Sequence, residues 1–78
     1  TSDVEEPGFY MVQTGIYRVR TNAEREMERL KAQGFPAFMT FKDGFYYVRA
    51  GAFRNMENAV RQEQELRKLG YPTLLVKT

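Results

Sequence analysis

Phe9-Tyr10-Met11-Val12-Gln13-Thr14-Gly15 and Phe45-Tyr46-Tyr47-Val48-Arg49-Ala50-Gly51 are the two stretches on which the reading of this chain turns. They stand 36 residues apart, and the spacing continues past them without a gap. Arg18 falls on Arg54, Asn22 on Asn58, Ala23 on Ala59, Arg25 on Arg61, Leu30 on Leu66, Gly34 on Gly70 and Pro36 on Pro72. A period of that size marks one supersecondary unit used twice. Both stretches are rich in aromatic and β-favouring residues and end at a glycine, which reads as a short strand.

Working outward, a helix follows each strand. In the first copy Thr21 and Glu24 have the spacing of a capping box, and Ala23, Met27 and Leu30 recur along one helical face. Gly34 and then Pro36 stop that helix, and Ala37 to Phe41 is a second strand. Lys42-Asp43-Gly44 is a tight polar turn leading into Phe45 to Gly51 as a hairpin. The second helix runs from about Glu57 to Leu69, with Asn55 as its cap and Ala59, Leu66 and Leu69 inward. Glu63 replaces Met27 in that stripe and needs either cover from Met56 or an Arg partner. Thr73 to Lys77 is the last strand. The expected fold is α+β: a βαββαβ chain with an internal two-fold repeat. Right-handed crossovers put both helices on one face of a four-stranded antiparallel sheet. The repeat halves are about 9–42 and 45–78, and residues 1–8 read as the end of a linker.

Side chains alternate along a strand, so the second sheet face can be read as well. Tyr10, Val12, Thr14, Tyr46, Val48 and Ala50 point to the helices. Phe9, Met11, Gln13, Phe45, Tyr47 and Arg49 then point away, joined by Phe38, Thr40, Leu74 and Val76. An uncovered sheet face normally reads polar. One presenting Phe, Tyr, Met, Gln and Arg calls for a partner, because rings stack on sugars or bases while Gln and Arg supply directed hydrogen bonds.

Composition narrows the chemistry. The 78 residues allow one domain with a modest core, and no Cys is present to staple it. His is absent too, which removes the commonest general base near neutral pH and, with Cys, the usual zinc ligands. No cofactor, metal or catalytic residue is expected. The formal charge is +2, and Asp3, Glu5 and Glu6 lie in the first eight residues; the remaining seven acids face twelve bases, leaving +5 on the rest. That balance permits an anionic partner without demanding one. No apolar run approaches membrane-spanning length.

Tyr10-Met11-Val12-Gln13-Thr14-Gly15-Ile16-Tyr17, Asn22-Ala23, Leu30 and Gly34-Phe35-Pro36-Ala37 together resemble the SPOR repeat. Tyr47-Val48-Arg49-Ala50-Gly51-Ala52-Phe53, Asn58-Ala59 and Leu66 to Pro72 resemble it more closely still. The likeness extends from Phe9 to Lys77. It implies a non-catalytic module of a larger bacterial protein in the periplasm, cell wall or forming spore. Such a module binds peptidoglycan glycan strands denuded of their stem peptides, as a monomer, without nucleic acid and without membrane contact of its own. The family's first-strand Gln corresponds to Gln13 and its sheet-face aromatics to Phe45 and Tyr47, with Met11, Phe38 and Arg49 completing the expected site. Ile16 departs from the small residue usual after the Gly. Arg49 stands where the second copy usually has Gln, which shifts the balance toward ionic contacts with muramyl carboxylates.

Two other readings compete. RRM domains share the βαββαβ plan, and Gly44-Phe45-Tyr46-Tyr47-Val48 partly echoes their base-stacking motif; Asp43, Tyr46 and Ala50 break the pattern. Val12-Gln13 with Tyr17-Arg18 resembles the phosphate loop of acylphosphatases. Thr14 stands there in place of Gly, and the recurrence of Arg18 as Arg54 is explained by the repeat.

Overall fold

The computed structural model describes residues 9–77, so the expected linker at 1–8 lies outside the described residues. The chain runs β1 (Tyr10–Tyr17), α1 (Arg20–Ala32), β2 (Ala37–Lys42), β3 (Phe45–Phe53), α2 (Met56–Lys68), β4 (Leu74–Lys77). The sheet order is β2-β3-β1-β4, and every neighbouring pair is antiparallel. The β1 and β3 copies of the repeat therefore lie side by side in the middle. Each helix crosses over the central strand of the other half on its way to an edge strand, which places both on the same face.

The core follows from the positions that recur. Val12 and Val48, Leu30 and Leu66, and Ala23 and Ala59 are all fully buried, two by two across the repeat, with Ala37 and Ala50 beside them. Tyr10, Tyr46, Met39, Leu75 and Met27 pack around this cluster. The side chains expected to face the helices do so. Burying each large aliphatic group contributes on the order of 2 kcal/mol, and with no disulfide this apolar layer holds the sheet to the helices.

Both helices end in the same Schellman pattern. Phe35 N–H donates to Leu30 C=O and Gly34 N–H to Lys31 C=O, each at 3.0 Å. Tyr71 to Leu66 and Gly70 to Arg67 repeat it at 3.1 and 3.0 Å. Their beginnings differ. Asn55 caps α2 by accepting from Glu57 N–H at 2.7 Å. In α1 the N-cap is Val19 and no side chain caps it, so the expected Thr21–Glu24 capping box does not form. The helix starts a residue before Thr21, and Glu24 is taken by Arg20, whose Nε donates to it at 2.8 Å. Glu63 finds an Arg partner, Arg67, at 3.3 Å. Leu69, expected inward, is the exposed C-cap of α2, because the helix ends there and its stripe with it.

The hairpin turn is the two-residue Asp43-Gly44, both at positive φ as a type I′ turn requires. The central strands run two residues past the glycines at which the sequence suggests they end. The register shows why. Met11 pairs with Ala52, Gln13 with Arg49 and Gly15 with Val48, so each strand carries one extra residue, near Gly51 and near Gly15. These two bulges reset the alternation, and Tyr17 and Phe53 turn back to the core. A Cβ on Gly15 would lie 2.9 Å from the Tyr17 ring, and one on Gly51 the same distance from the Phe53 ring. Each glycine leaves room for the aromatic two residues on.

Candidate functional site

The face opposite the helices is built around a single cross-strand pair. Gln13 and Arg49 are Cα partners in the register and also equivalents in the repeat, so the pseudo-two-fold axis passes between them. Arg49 Nε donates to Gln13 Oε1 at 3.3 Å, its Nη1 approaches Met11 Sδ at 3.9 Å, and its Cζ stands 5.4 Å from the centre of the Tyr47 ring. The structure thus brings Met11, Gln13, Tyr47 and Arg49 into one cluster. Phe38 adjoins it as the β2 partner of Arg49, and Thr40 pairs with Tyr47. Leu74 and Val76 flank Gln13 and Met11 on the other side. Phe45 lies apart from this cluster, at the start of β3.

Alternation gives the side of the sheet but not the depth. Gln13 and Met11, expected as exposed contacts, are each only 7% accessible. They sit on a strand with neighbours on both sides, and the long Arg49 side chain lies over them. Gln13 therefore acts first on Arg49, fixing its direction, while Arg49, Tyr47, Phe38 and Phe45 are half-buried and open to a ligand. Where β4 stops pairing, beyond Leu74, a 250 Å³ cleft opens between Gln13–Ile16 and Pro72–Leu74, and half-exposed Ile16 stands at its rim.

Two residues of this face lie outside the binding site expected from the sequence, where they figure only in the repeat and in the phosphate-loop reading. Arg18 Cζ lies 5.4 Å from the Phe45 ring centre, and Arg54 Cζ lies 5.4 Å from that of Phe9. The pairs are reciprocal: the Arg of each half covers the aromatic ring of the other. Recurrence of Arg at a 36-residue spacing was the visible signal, but only the antiparallel pairing of β1 with β3 shows what those arginines cover. Among the described residues every acidic side chain other than Asp43, in the hairpin turn, belongs to a helix. Among those residues the sheet face carries cations without counter-charges.

Comparison with known proteins agrees with this architecture. The SPOR domain family matches residues 6–77. Among solved structures, the solution structure of the peptidoglycan binding domain of the B. subtilis cell wall lytic enzyme CwlC superposes with a TM-score of 0.87 at 28% identity, over 100% of this chain and 99% of that one. Curated protein sequences give no match. With a repeated strand–helix–strand unit, a two-fold related pair of bulged central strands and a family match across nearly its whole length, this chain belongs to the SPOR domain family.

Proposed function

We propose that this domain is a non-catalytic peptidoglycan-binding module that takes glycan strands stripped of their stem peptides onto its open sheet face, and so carries an attached protein to the bacterial cell wall. The observation that supports this most is the cluster on the two-fold axis. Arg49 is pre-oriented by Gln13 and Met11 beside the Tyr47 ring, with Phe38 across from it. Sugar rings present apolar faces that stack on Tyr47 and Phe38, while their hydroxyl and carboxyl oxygens accept from the guanidinium. The likeness to the CwlC domain, whose binding partner is peptidoglycan, supports the same reading. A groove only as deep as a sheet face suits an extended polymer that lies across it.

The test is a pull-down with intact peptidoglycan, amidase-stripped glycan strands and single-stranded RNA. Retention by the stripped strands above the other two is expected, and Tyr47→Ala weakens it. Retention by RNA with a steep loss on adding salt, the mark of counterion release from phosphates, points instead to the RRM-like reading.

A further inference from the structure

Resting on the glycan reading, we propose that Arg18 and Arg54 are two symmetry-related carboxylate-binding positions flanking Arg49. The face then recognises a stripped strand through the free muramyl carboxylates along it. A guanidinium held over a ring uses its π face there and leaves its five N–H donors available, in a fork that matches a carboxylate. Among the described residues none of Arg18, Arg49 and Arg54 is ion-paired; of the helix arginines Arg20, Arg29 and Arg67 are, and Arg25 and Arg61 are not. The three arginines of the sheet face thus stand beside aromatic rings, over Phe45, Tyr47 and Phe9, with no carboxylate of the described residues paired to them.

Their placement specifies an elongated ligand. Phe9 lies four residues before Gln13, and Phe45 four residues before Arg49, on antiparallel strands. At about 3.4 Å per residue the two rings that the outer arginines cover stand about 14 Å from the axis in opposite directions. No small anion reaches more than one of them. A polymer with a carboxylate on every second sugar can engage the set. In intact peptidoglycan the stem peptide occupies that carboxyl group as a neutral amide and moves its own carboxylates away from the sugar, so an arginine array of this kind discriminates stripped from intact strands by where the charge lies.

The experiment compares stripped strands with the same strands after their carboxylates have been reduced to primary alcohols, and with polyglutamate. Binding is measured for the wild type, Arg18→Gln, Arg54→Gln and the double variant, and circular dichroism confirms that each is folded. The wild type should prefer the unreduced strands. Each single variant should lose roughly two- to fivefold on them, the range for one exposed ion pair, and the double variant should lose the product of the two. None of the three variants should lose affinity for the reduced strands. Equal wild-type affinity for reduced and unreduced strands overturns the inference and leaves the glycan reading standing. So does equally tight binding of polyglutamate, which marks general attraction to polyanions. Failure of the wild type to bind either strand overturns both.

Discussion

On the pseudo-two-fold axis the first half of the molecule places an amide, Gln13, and the second a guanidinium, Arg49. Elsewhere on the same faces Met11 answers Tyr47. Tyr17 beside Glu26 answers Phe53, with Gln62 at the position equivalent to Glu26, and Lys77 over Tyr10 (5.5 Å) answers Phe41 against Tyr46 (4.6 Å). The Arg20–Glu24 pair of α1 becomes Met56 and Val60 on α2. Against these differences Val12 and Val48, Ala23 and Ala59, and Leu30 and Leu66 are identical across the two halves of the core, where only Ala50 and Ala37 have a threonine, Thr14 and Thr73, at the equivalent position. The backbone is thus duplicated and the chemistry is not. A physical constraint enforces this at the axis, where Cβ atoms of directly opposed residues lie about 4.5–5.5 Å apart. Two arginines there would repel, so one charge can occupy the centre only if its twin is neutral and accepts a hydrogen bond from it.

The comparison can be broken first in the core. Leu30→Ala and Leu66→Ala should each cost about 2–5 kcal/mol, and by similar amounts, since both side chains are fully buried at equivalent positions. Urea unfolding of the two variants checks this, and clearly unequal losses would show that the halves are not mechanically equivalent.

The glycines should separate them. Both have an aromatic ring in the way of a Cβ, but Gly51 also holds φ at 102°, a conformation that L residues adopt at a cost. Gly51→Ala should destabilise by about 2 kcal/mol. Gly15→Ala should cost less, because the end of the Tyr17 side chain can swing aside. Thermal melts of the pair decide it, and equal losses would mean that ring contact is the whole effect.

At the axis, Gln13→Ala removes a buried acceptor from Arg49 and should cost about 1–2 kcal/mol as well as weakening glycan binding. Arg49→Gln, which makes the halves alike, should leave stability nearly unchanged while lowering affinity for stripped strands. A neutral effect of Gln13→Ala on stability would return Gln13 to the role of a simple surface contact.

Smaller effects come from the helix starts. Asn55→Ala should cost about 1 kcal/mol, and Val19→Asn, which gives α1 the cap it lacks, should recover up to a similar amount in the other half. Smallest is an alkaline effect confined to the first half. Burial, and then the nearby Glu26 carboxylate, raise the pKa of Tyr17 above 10.0, against a weaker opposing influence of Arg29. The folded state therefore holds this proton more tightly than the unfolded chain. The resulting stability is fully present below pH 10 and is lost as the pH rises through the folded-state value. Tyr17→Phe, which copies Phe53, should flatten the alkaline limb of the stability curve, and denaturant midpoints measured above pH 9.5 or so would register it.

The sequence by itself determined the repeat, the element order and the sheet side of the strand residues that precede the bulges, because these rest on local periodicity and on identical residues 36 apart. It also identified the outward set from which the candidate site is drawn. It did not show that Gln13 and Met11 lie beneath Arg49, that Arg18 and Arg54 each cover an aromatic of the opposite half, or that bulges at Gly15 and Gly51 return Tyr17 and Phe53 to the core. Each of those depends on which residues of β1 and β3 come to lie opposite one another. Register between strands so distant in sequence is set only when the whole sheet closes on its helices, and alternation along one strand carries no record of it.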